Sequence, residues 1–191
     1  MSDSGEYVQF FKLIVAFGVV EVLDGGGSDF RFIWGSWTQP QWCPRGHLSA
    51  FRLRVQAPQG AFRDDTAANN IDFKCSDNST LVGRGTTDGE YGSWSEDCGP
   101  QWCPYGHLSA FRLRVQSPQG AFRDDTAANN IDFKCSHGAT LEGRGTTSGT
   151  YGSWSEDCGK KAICGLRTKI EKWLGIRDDT ALNDVQFYCC E

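Results

Sequence analysis

The feature that most constrains this chain is a long internal repeat. Residues 41–99 recur almost letter for letter at 101–159, and a shortened, diverged copy runs from about Cys158 to Glu191. The first two copies align without a gap at a period of 60 residues, as Cys43 and Cys103 show. Repeats of this kind indicate units that bury their apolar faces against one another. We therefore predict that the three copies form one domain.

Each long copy contains alternating strand patterns. Residues 51–55 read Phe-Arg-Leu-Arg-Val, and residues 71–75 read Ile-Asp-Phe-Lys-Cys. Such alternation is typical of antiparallel strands that have one face in the core and the other in water. We expect charges on the outward faces of neighbouring strands to pair across the sheet. Short strands near Leu81 and Tyr91, separated by glycine-rich turns, bring each unit to about four strands.

Composition favours an all-β fold and disfavours several partners. The 191 residues include 23 glycines and 7 tryptophans, and long runs of strong helix formers are missing. The formal net charge of −5 provides no basic field for nucleic acids or anionic lipids, which attract clustered Lys and Arg. We expect no nucleic-acid partner, no membrane partner and no cofactor.

Nine cysteines, most of them at repeat-related positions, indicate an oxidising compartment in which disulfides persist. A common separation of 32 residues predicts three bonds: Cys43 with Cys75, Cys103 with Cys135, and Cys158 with Cys190. Cys164 and Cys189 then form the fourth pair. Exchange of partners among the last four cysteines stays open, because connectivity does not follow from sequence.

Cys98 is left over by this pairing. We interpret it as a buried free thiol or as an intermolecular bridge that would make a dimer. No metal is expected, since no Cys-x-x-Cys element pairs with a second such element or with a suitable histidine.

Residues 1–18 are interpreted as a leader strand or an imperfect secretion signal. Residues 10–20 are apolar, but Lys12 interrupts them and acidic residues precede them. The stretch is also too short to span a membrane. Asn78-Ser79-Thr80 is a glycosylation sequon in a predicted turn, which makes Asn78 the candidate attachment site in a secreted chain.

Acidic pairs recur in all three copies: Asp64 and Asp65, Asp124 and Asp125, and Asp178 and Asp179. Glycosyl hydrolysis or transfer needs two carboxyl groups about 5 to 10 Å apart. Adjacent residues of an extended segment point to opposite faces, however, and carboxylates in turns commonly accept backbone N–H bonds. We prefer this structural role. The catalytic candidates that remain are Asp65, Asp125 and Asp179.

The tryptophans divide into two groups. Trp37, Trp94 and Trp154 recur with the repeat and are predicted to lie in the core. The candidate carbohydrate-binding residues stand at strand edges, where an exposed indole can stack on a sugar: Trp34, Trp42 and Trp102. Core packing is the competing interpretation for this second group as well. His47 and His107 are interpreted as strand-end hydrogen-bonding residues, because no Ser-His-Asp arrangement is evident.

Several motifs, taken together, resemble vitelline membrane outer layer protein I. They are Trp34-Gly35-Ser36-Trp37, Tyr91-Gly92-Ser93-Trp94 and Tyr151-Gly152-Ser153-Trp154, the three Arg-Asp-Asp-Thr-Ala blocks, and the closing Phe187-Tyr188-Cys189-Cys190. The resemblance covers residues 19–191. Two departures from the family pattern are the longer approach at 28–33 and the extra Cys98.

The resemblance implies a β-prism, in which three four-stranded Greek-key sheets face one another around a pseudo-threefold axis. Strands are exchanged between units, so that the first and last segments complete each other, and residues 19–23 form the opening strand. A single domain over 19–191 is expected, with repeat units at about 34–93, 94–153 and 154–191.

Three classes of function follow from the residues and the resemblance. The first is a secreted structural protein of an extracellular coat, such as an egg envelope or a mucous layer. The second is a module that binds N-acetylglucosamine-type oligosaccharides. The third is a weak transglycosylase that acts on chito-oligosaccharides in the manner of lysozyme. We prefer a coat protein that interacts with glycans or other coat proteins, and we keep the transglycosylase as the alternative.

Overall fold

The computed structural model describes residues 13–15, 18–24, 35–56, 68–83, 93–94, 101–116, 128–170 and 182–191. These ranges contain strands and no helix. In chain order the strands are β1 (Leu13–Val15), β2 (Gly18–Asp24), β3 (Ser36–Trp37), β4 (Gln41–Trp42), β5 (Leu48–Val55), β6 (Ala68–Cys75), β7 (Thr80–Val82), β8 (Ser93–Trp94), β9 (Gln101–Trp102), β10 (Leu108–Val115), β11 (Ala128–Cys135), β12 (Thr140–Glu142), β13 (Thr150–Tyr151), β14 (Ala162–Ile170) and β15 (Leu182–Cys190).

The strands form three antiparallel sheets. Sheet I has the order β7-β6-β5-β8, with β9 also paired to β5. Sheet II has the order β12-β11-β10-β13. Sheet III has the order β1-β2-β15-β14-β3, with β4 also paired to β14. The β-prism prediction is therefore confirmed. Sheets I and III have more than four strands because one edge of each consists of two short strands, β8 and β9 in sheet I and β3 and β4 in sheet III. β1 adds a further edge strand to sheet III.

Each sheet is completed by a strand from the following repeat unit. β8 and β9 precede β10 in the chain but pair with β5 of sheet I, and β13 precedes β14 but pairs with β10 of sheet II. β3 and β4 close the cycle by pairing with β14 of sheet III. The predicted exchange between the first and last segments is thus present. No unit has a complete sheet of its own.

The core lies where the three inward faces meet. It is built from equivalent positions of the long strands: Phe51, Phe73, Phe111, Phe133, Leu166 and Phe187. Three of these rings surround the pseudo-threefold axis, with centroids 5.8 Å apart for Phe73 and Phe133, 5.6 Å for Phe73 and Phe187, and 5.3 Å for Phe133 and Phe187. Alternation along the strands sends these side chains inward, as the sequence pattern predicts.

The disulfides connect sheets to one another. The structure joins Cys43 to Cys75 and Cys103 to Cys135, as predicted. Cys43 follows a strand of sheet III and Cys75 ends a strand of sheet I, so this bond crosses between sheets. Cys103 to Cys135 crosses from sheet I to sheet II in the same way. These two bonds therefore bridge neighbouring sheets at one end of the prism.

The predicted partners in the third unit are wrong. The structure joins Cys158 to Cys189 and Cys164 to Cys190. Neighbouring strand residues point to opposite faces, and Cys189 lies on the inward face with Phe187 and Cys158. Cys164, at a β-bulge, and Cys190 lie together on the other face. The Cys158–Cys189 bond bridges sheets II and III, because Cys158 follows a segment that pairs with β10 of sheet II.

The N-terminal segment contributes to sheet III. β2 pairs with β15 and is one residue longer at each end than the predicted opening strand at 19–23. β1 pairs with β2 and lies within residues 1–18, where a leader strand or signal was expected.

Candidate functional site

The outward faces of the sheets carry aromatic rings stacked on cations. On sheet II, Arg112 Cζ lies 4.2 Å from the ring centroid of Tyr151 and 4.7 Å from that of Trp154, and Lys134 Nζ lies 4.6 Å from the same Trp154 ring. On sheet III, Arg167 lies 4.7 Å from Trp37. The prediction that Trp37 and Trp154 belong to the core is therefore wrong. The side chain of Trp94 lies outside the described residues.

Buried acids hold this outer layer in place. Arg112 Nη2 donates to Asp132 Oδ2 at 2.8 Å, and Arg52 Nη2 makes the equivalent 2.8 Å bond to Asp72 on sheet I. The expected pairing of charges across the sheet is thus confirmed. Burial and a hydrogen bond from Tyr151 Oη to Asp132 raise the pKa of Tyr151 to about 12. The phenol therefore stays protonated at neutral pH and donates its hydrogen bond to Asp132.

A second outward row, nearer the disulfide end, differs among the sheets. On sheet III the paired positions are Trp42, Gly165 and Tyr188. The equivalent residues on sheet I are Trp102, Ala50 and Lys74, followed by Thr80 on the next strand. Directly opposed residues of antiparallel strands project to the same face, so each row forms one continuous strip of side chains.

The two tryptophans of these rows differ in exposure. Trp42 is 36% exposed, and its ring centroid lies 4.7 Å from that of Tyr188. A Cβ added at Gly165 would lie 2.5 Å from Trp42 Cε3, so the ring rests directly on the glycine. Ala50 has the Cβ that Gly165 lacks. Trp102, at the equivalent position, is 63% exposed.

Sheet I therefore presents the most open aromatic surface among the described tryptophans. Tyr105, three residues further along in the Cys103–Gly106 turn, is 94% exposed. The sequence nominated Trp102 but missed Lys74 and Tyr105. Both positions differ between the repeats. The third copy has Tyr188 at the position of Lys74, and the first copy has Arg45 at the position of Tyr105.

Sheet II lacks the aromatic platform. The position equivalent to Trp102 is Asp157, which accepts a 2.8 Å hydrogen bond from Ser109 Oγ and another from the backbone N–H of Gly159. This acid is used by the local turn. The same repeat position is therefore occupied by the stacked indole of Trp42 on sheet III, the exposed indole of Trp102 on sheet I and the carboxylate of Asp157 on sheet II.

The two histidines lie where the three units meet. The ring centroids of His47 and His107 are 5.0 Å apart, and His107 Nε2 lies 3.1 Å from the carbonyl oxygen of Lys161 in the third unit. The backbones of both histidines also bond the turns that follow β6 and β11. These contacts agree with the predicted strand-end role. Burial, and then the charge of His107, lower the pKa of His47.

This histidine pair predicts a loss of stability in mild acid. The folded state holds the His47 proton more weakly than the unfolded state does, because its pKa is lowered. The corresponding stability is present above the unfolded imidazole pKa of about 6.5 and is lost as the pH falls from that value through the lower pKa of the folded state. We expect the urea midpoint to fall between pH 7.5 and 5.5, and to fall less in His47→Gln. His137→Gln, in an exposed turn, is the control, and an identical pH dependence in His47→Gln and the natural protein would contradict the assignment.

Several sequence-based candidates lie outside the described residues. They are Trp34, Cys98, and the acidic residues Asp64, Asp65, Asp124, Asp125, Asp178 and Asp179. Asn78 is described and lies exposed in a tight turn with φ of 68°, where its counterpart is Gly138. Within the described ranges, no three His, Cys, Asp or Glu side chains are grouped to hold a metal. Nor do these ranges contain a helix of the length and apolarity needed to cross a bilayer.

Sequence comparison places the chain among known proteins. A family model described as vitelline membrane outer layer protein I matches residues 30–100 and 85–191. The chain belongs to this family. The vitelline membrane outer layer protein 1 homolog of Homo sapiens is 45% identical over 174 residues, which are 90% of this chain and 82% of the human protein. The Mus musculus homolog is 43% identical over the same length, at 83% of its own chain.

The fold is shared with solved structures that include an agglutinin and artocarpin. Calystegia sepium agglutinin superposes with a TM-score of 0.54 at 11% identity, over 88% of this chain and 97% of the agglutinin. Artocarpin in its mannopentose complex gives a TM-score of 0.53 at 11% identity, over 93% of this chain and all of artocarpin. At this identity the likeness establishes the β-prism architecture.

Proposed function

We propose that this family member is a secreted, glycan-binding protein of an extracellular coat. Four disulfides join eight of the nine cysteines, which fits an oxidising extracellular environment. The family takes its description from the outer layer of the vitelline membrane. The exposed Asn78 sequon would carry an N-linked glycan in that setting. The ligand we propose is an oligosaccharide of the N-acetylglucosamine type.

One observation supports this function most strongly, namely the open indole of Trp102. Trp102 is 63% exposed, and tryptophan is enriched among the residues that dominate binding energy at interfaces. The apolar face of a pyranose can cover such a ring. The neighbouring polar side chains Lys74 and Thr80 can then bond the sugar hydroxyls, which fix orientation.

Replacing Trp102 by alanine is expected to weaken binding of chitohexaose about tenfold, because the stacking surface is lost. Trp42→Ala is the matched comparison, and we expect a change of less than about threefold because that ring is already covered by Tyr188. Isothermal titration calorimetry measures both affinities, and the thermal midpoint of each variant reports folding. Unchanged affinity in a folded Trp102→Ala variant would overturn the proposed site.

The competing function is glycosyl transfer on N-acetylchito-oligosaccharides. Its candidates are Asp65, Asp125 and Asp179, and the argument for them rests on sequence alone. Chromatography of chitohexaose after incubation with the protein decides between the two functions. Longer and shorter oligosaccharides that disappear in an Asp→Asn variant of unchanged stability would establish an enzyme. An unaltered hexaose together with measurable binding supports the non-enzymatic function.

A further inference from the structure

We infer that the Trp102 strip selects an anionic oligosaccharide, one that carries a sulfate or carboxylate group, over its neutral counterpart. The inference rests on the proposed glycan-binding function and specifies the ligand of that same site. It follows from the residue that stands beside the indole. On sheet I this residue is a lysine, whereas on sheet III it is Tyr188.

The register brings Trp102 and Lys74 to the two sides of Ala50. Neighbouring strands lie about 4.8 Å apart, so the two Cα atoms are about 10 Å apart across the strip. Ala50 is buried and contributes only a methyl group between them. A sugar stacked on Trp102 would thus place a substituent or the next residue of its chain near the lysine.

Lys74 has a positive charge that its described neighbours do not match. Its Nζ donates to Thr80 Oγ1 at 2.8 Å and to the Asn78 carbonyl oxygen at 3.3 Å, and both acceptors are uncharged. The nearby Arg52 is different, since it is paired with buried Asp72. These contacts orient the ammonium group while leaving its charge available to an anion.

An open pocket of about 220 Å³ adjoins the strip. Its lining residues are Phe51, Arg52, Asp72, Phe73, Lys74 and Thr80. Lys74 and Thr80 therefore belong both to the strip beside Trp102 and to the wall of the pocket. A sulfate or carboxylate in the pocket would meet the Lys74 ammonium and the Thr80 hydroxyl as donors.

The equivalent strip on sheet II has the opposite character and provides an internal control. Asp157 replaces the indole, and Lys134 stacks on the ring of Trp154 at 4.6 Å. Lys134 is also less exposed than Lys74. The two lysines occupy the same repeat position on two sheets, so substituting each in turn separates a local effect from a change of net charge.

Three hexasaccharides test the inference on the full chain: chitohexaose, 6-O-sulfated chitohexaose, and a hyaluronan hexasaccharide that carries carboxylates without sulfate. We expect the sulfated or the carboxylated probe to bind about tenfold more tightly than chitohexaose at 50 mM salt. Most of this preference should be lost at 300 mM salt, since the charge is exposed. Lys74→Gln should reduce the preference to about one, whereas Lys134→Gln should retain it. The two anionic probes show which group is recognised.

The outcomes separate this inference from the proposed function. Trp102-dependent binding of all three probes with equal affinity would refute anionic selection and leave glycan binding intact. An equal loss of preference in the two lysine variants would also refute it, because the effect would then come from net charge. Failure of the natural protein to bind any probe would overturn both proposals.

Discussion

Replacing Phe133 by alanine is expected to lower the free energy of unfolding by about 3–5 kcal/mol, the usual cost of deleting a buried aromatic ring. Phe133 is fully buried and contacts four other phenylalanine rings, three of them on the other two sheets. The cavity would border all three sheets at once. Urea denaturation, followed by tryptophan fluorescence, measures the change.

Val82→Ala is the control for this prediction. Val82 is 54% exposed on the edge strand β7, and its truncation should change stability by less than about 0.5 kcal/mol. If Phe133→Ala and Val82→Ala proved equally stable, the three sheets would not share the core described above.

Removing the bond between Cys158 and Cys189 with the double variant Cys158→Ser, Cys189→Ser is expected to cost about 3–4 kcal/mol. The bond joins residues 31 apart, and closing a loop of that length restricts the unfolded chain by this amount in the chain-entropy model. Cys158→Ser, Cys190→Ser should cost distinctly more, because it breaks two bonds and leaves Cys164 and Cys189 without their partners. Denaturant midpoints of both double variants, measured without reductant, provide the comparison.

Peptide mapping under non-reducing conditions accompanies this experiment. It should recover a peptide pair containing Cys158 and Cys189 and another containing Cys164 and Cys190. If the second double variant were instead the more stable of the two, the partners predicted from spacing would be correct and the inward position of Cys189 would be mistaken.

The repeat pattern predicts much of the fold, including one disulfide that the criterion of equal spacing assigned wrongly. Strand alternation and the 60-residue period predicted the inward residues and two of the bonds. The third bond was also encoded, because Phe73-Lys74-Cys75 and Phe133-Lys134-Cys135 align with Phe187-Tyr188-Cys189. The cysteine two residues after the buried phenylalanine is the inward one in each copy. Equal loop length was the weaker criterion, since the third copy is shortened.

The position of the repeated tryptophans could not be obtained in this way. Trp37 lies opposite Lys169, which belongs to another unit and projects outward. This register places the Trp37 indole on the outward face of sheet III. Exchange between units leaves no local pattern in the sequence. Part of the candidate site was predicted, because the edge position of Trp102 indicated an exposed indole. The contribution of Lys74 was not predicted, because it depends on the strand pairing that brings Lys74 and Trp102 to the two sides of Ala50.

The placement of the disulfides along the sequence has a consequence for how the chain tolerates proteolytic cleavage. Residues 57–67, 117–127 and 171–181 each lie between the two cysteines of one bond, so a protease that cleaves there leaves both products covalently attached. Residues 84–92 lie between two such loops, and a cut there divides the chain into pieces that share no disulfide. The backbone bonds from β8 and β9 to β5, from β3 and β4 to β14 and from β2 to β15, together with the common core, would keep those pieces together. A cut at 136–157, between the second and third disulfide loops, would divide the chain in the same way, so resistance to fragmentation is lower at both connections between units than inside the disulfide loops.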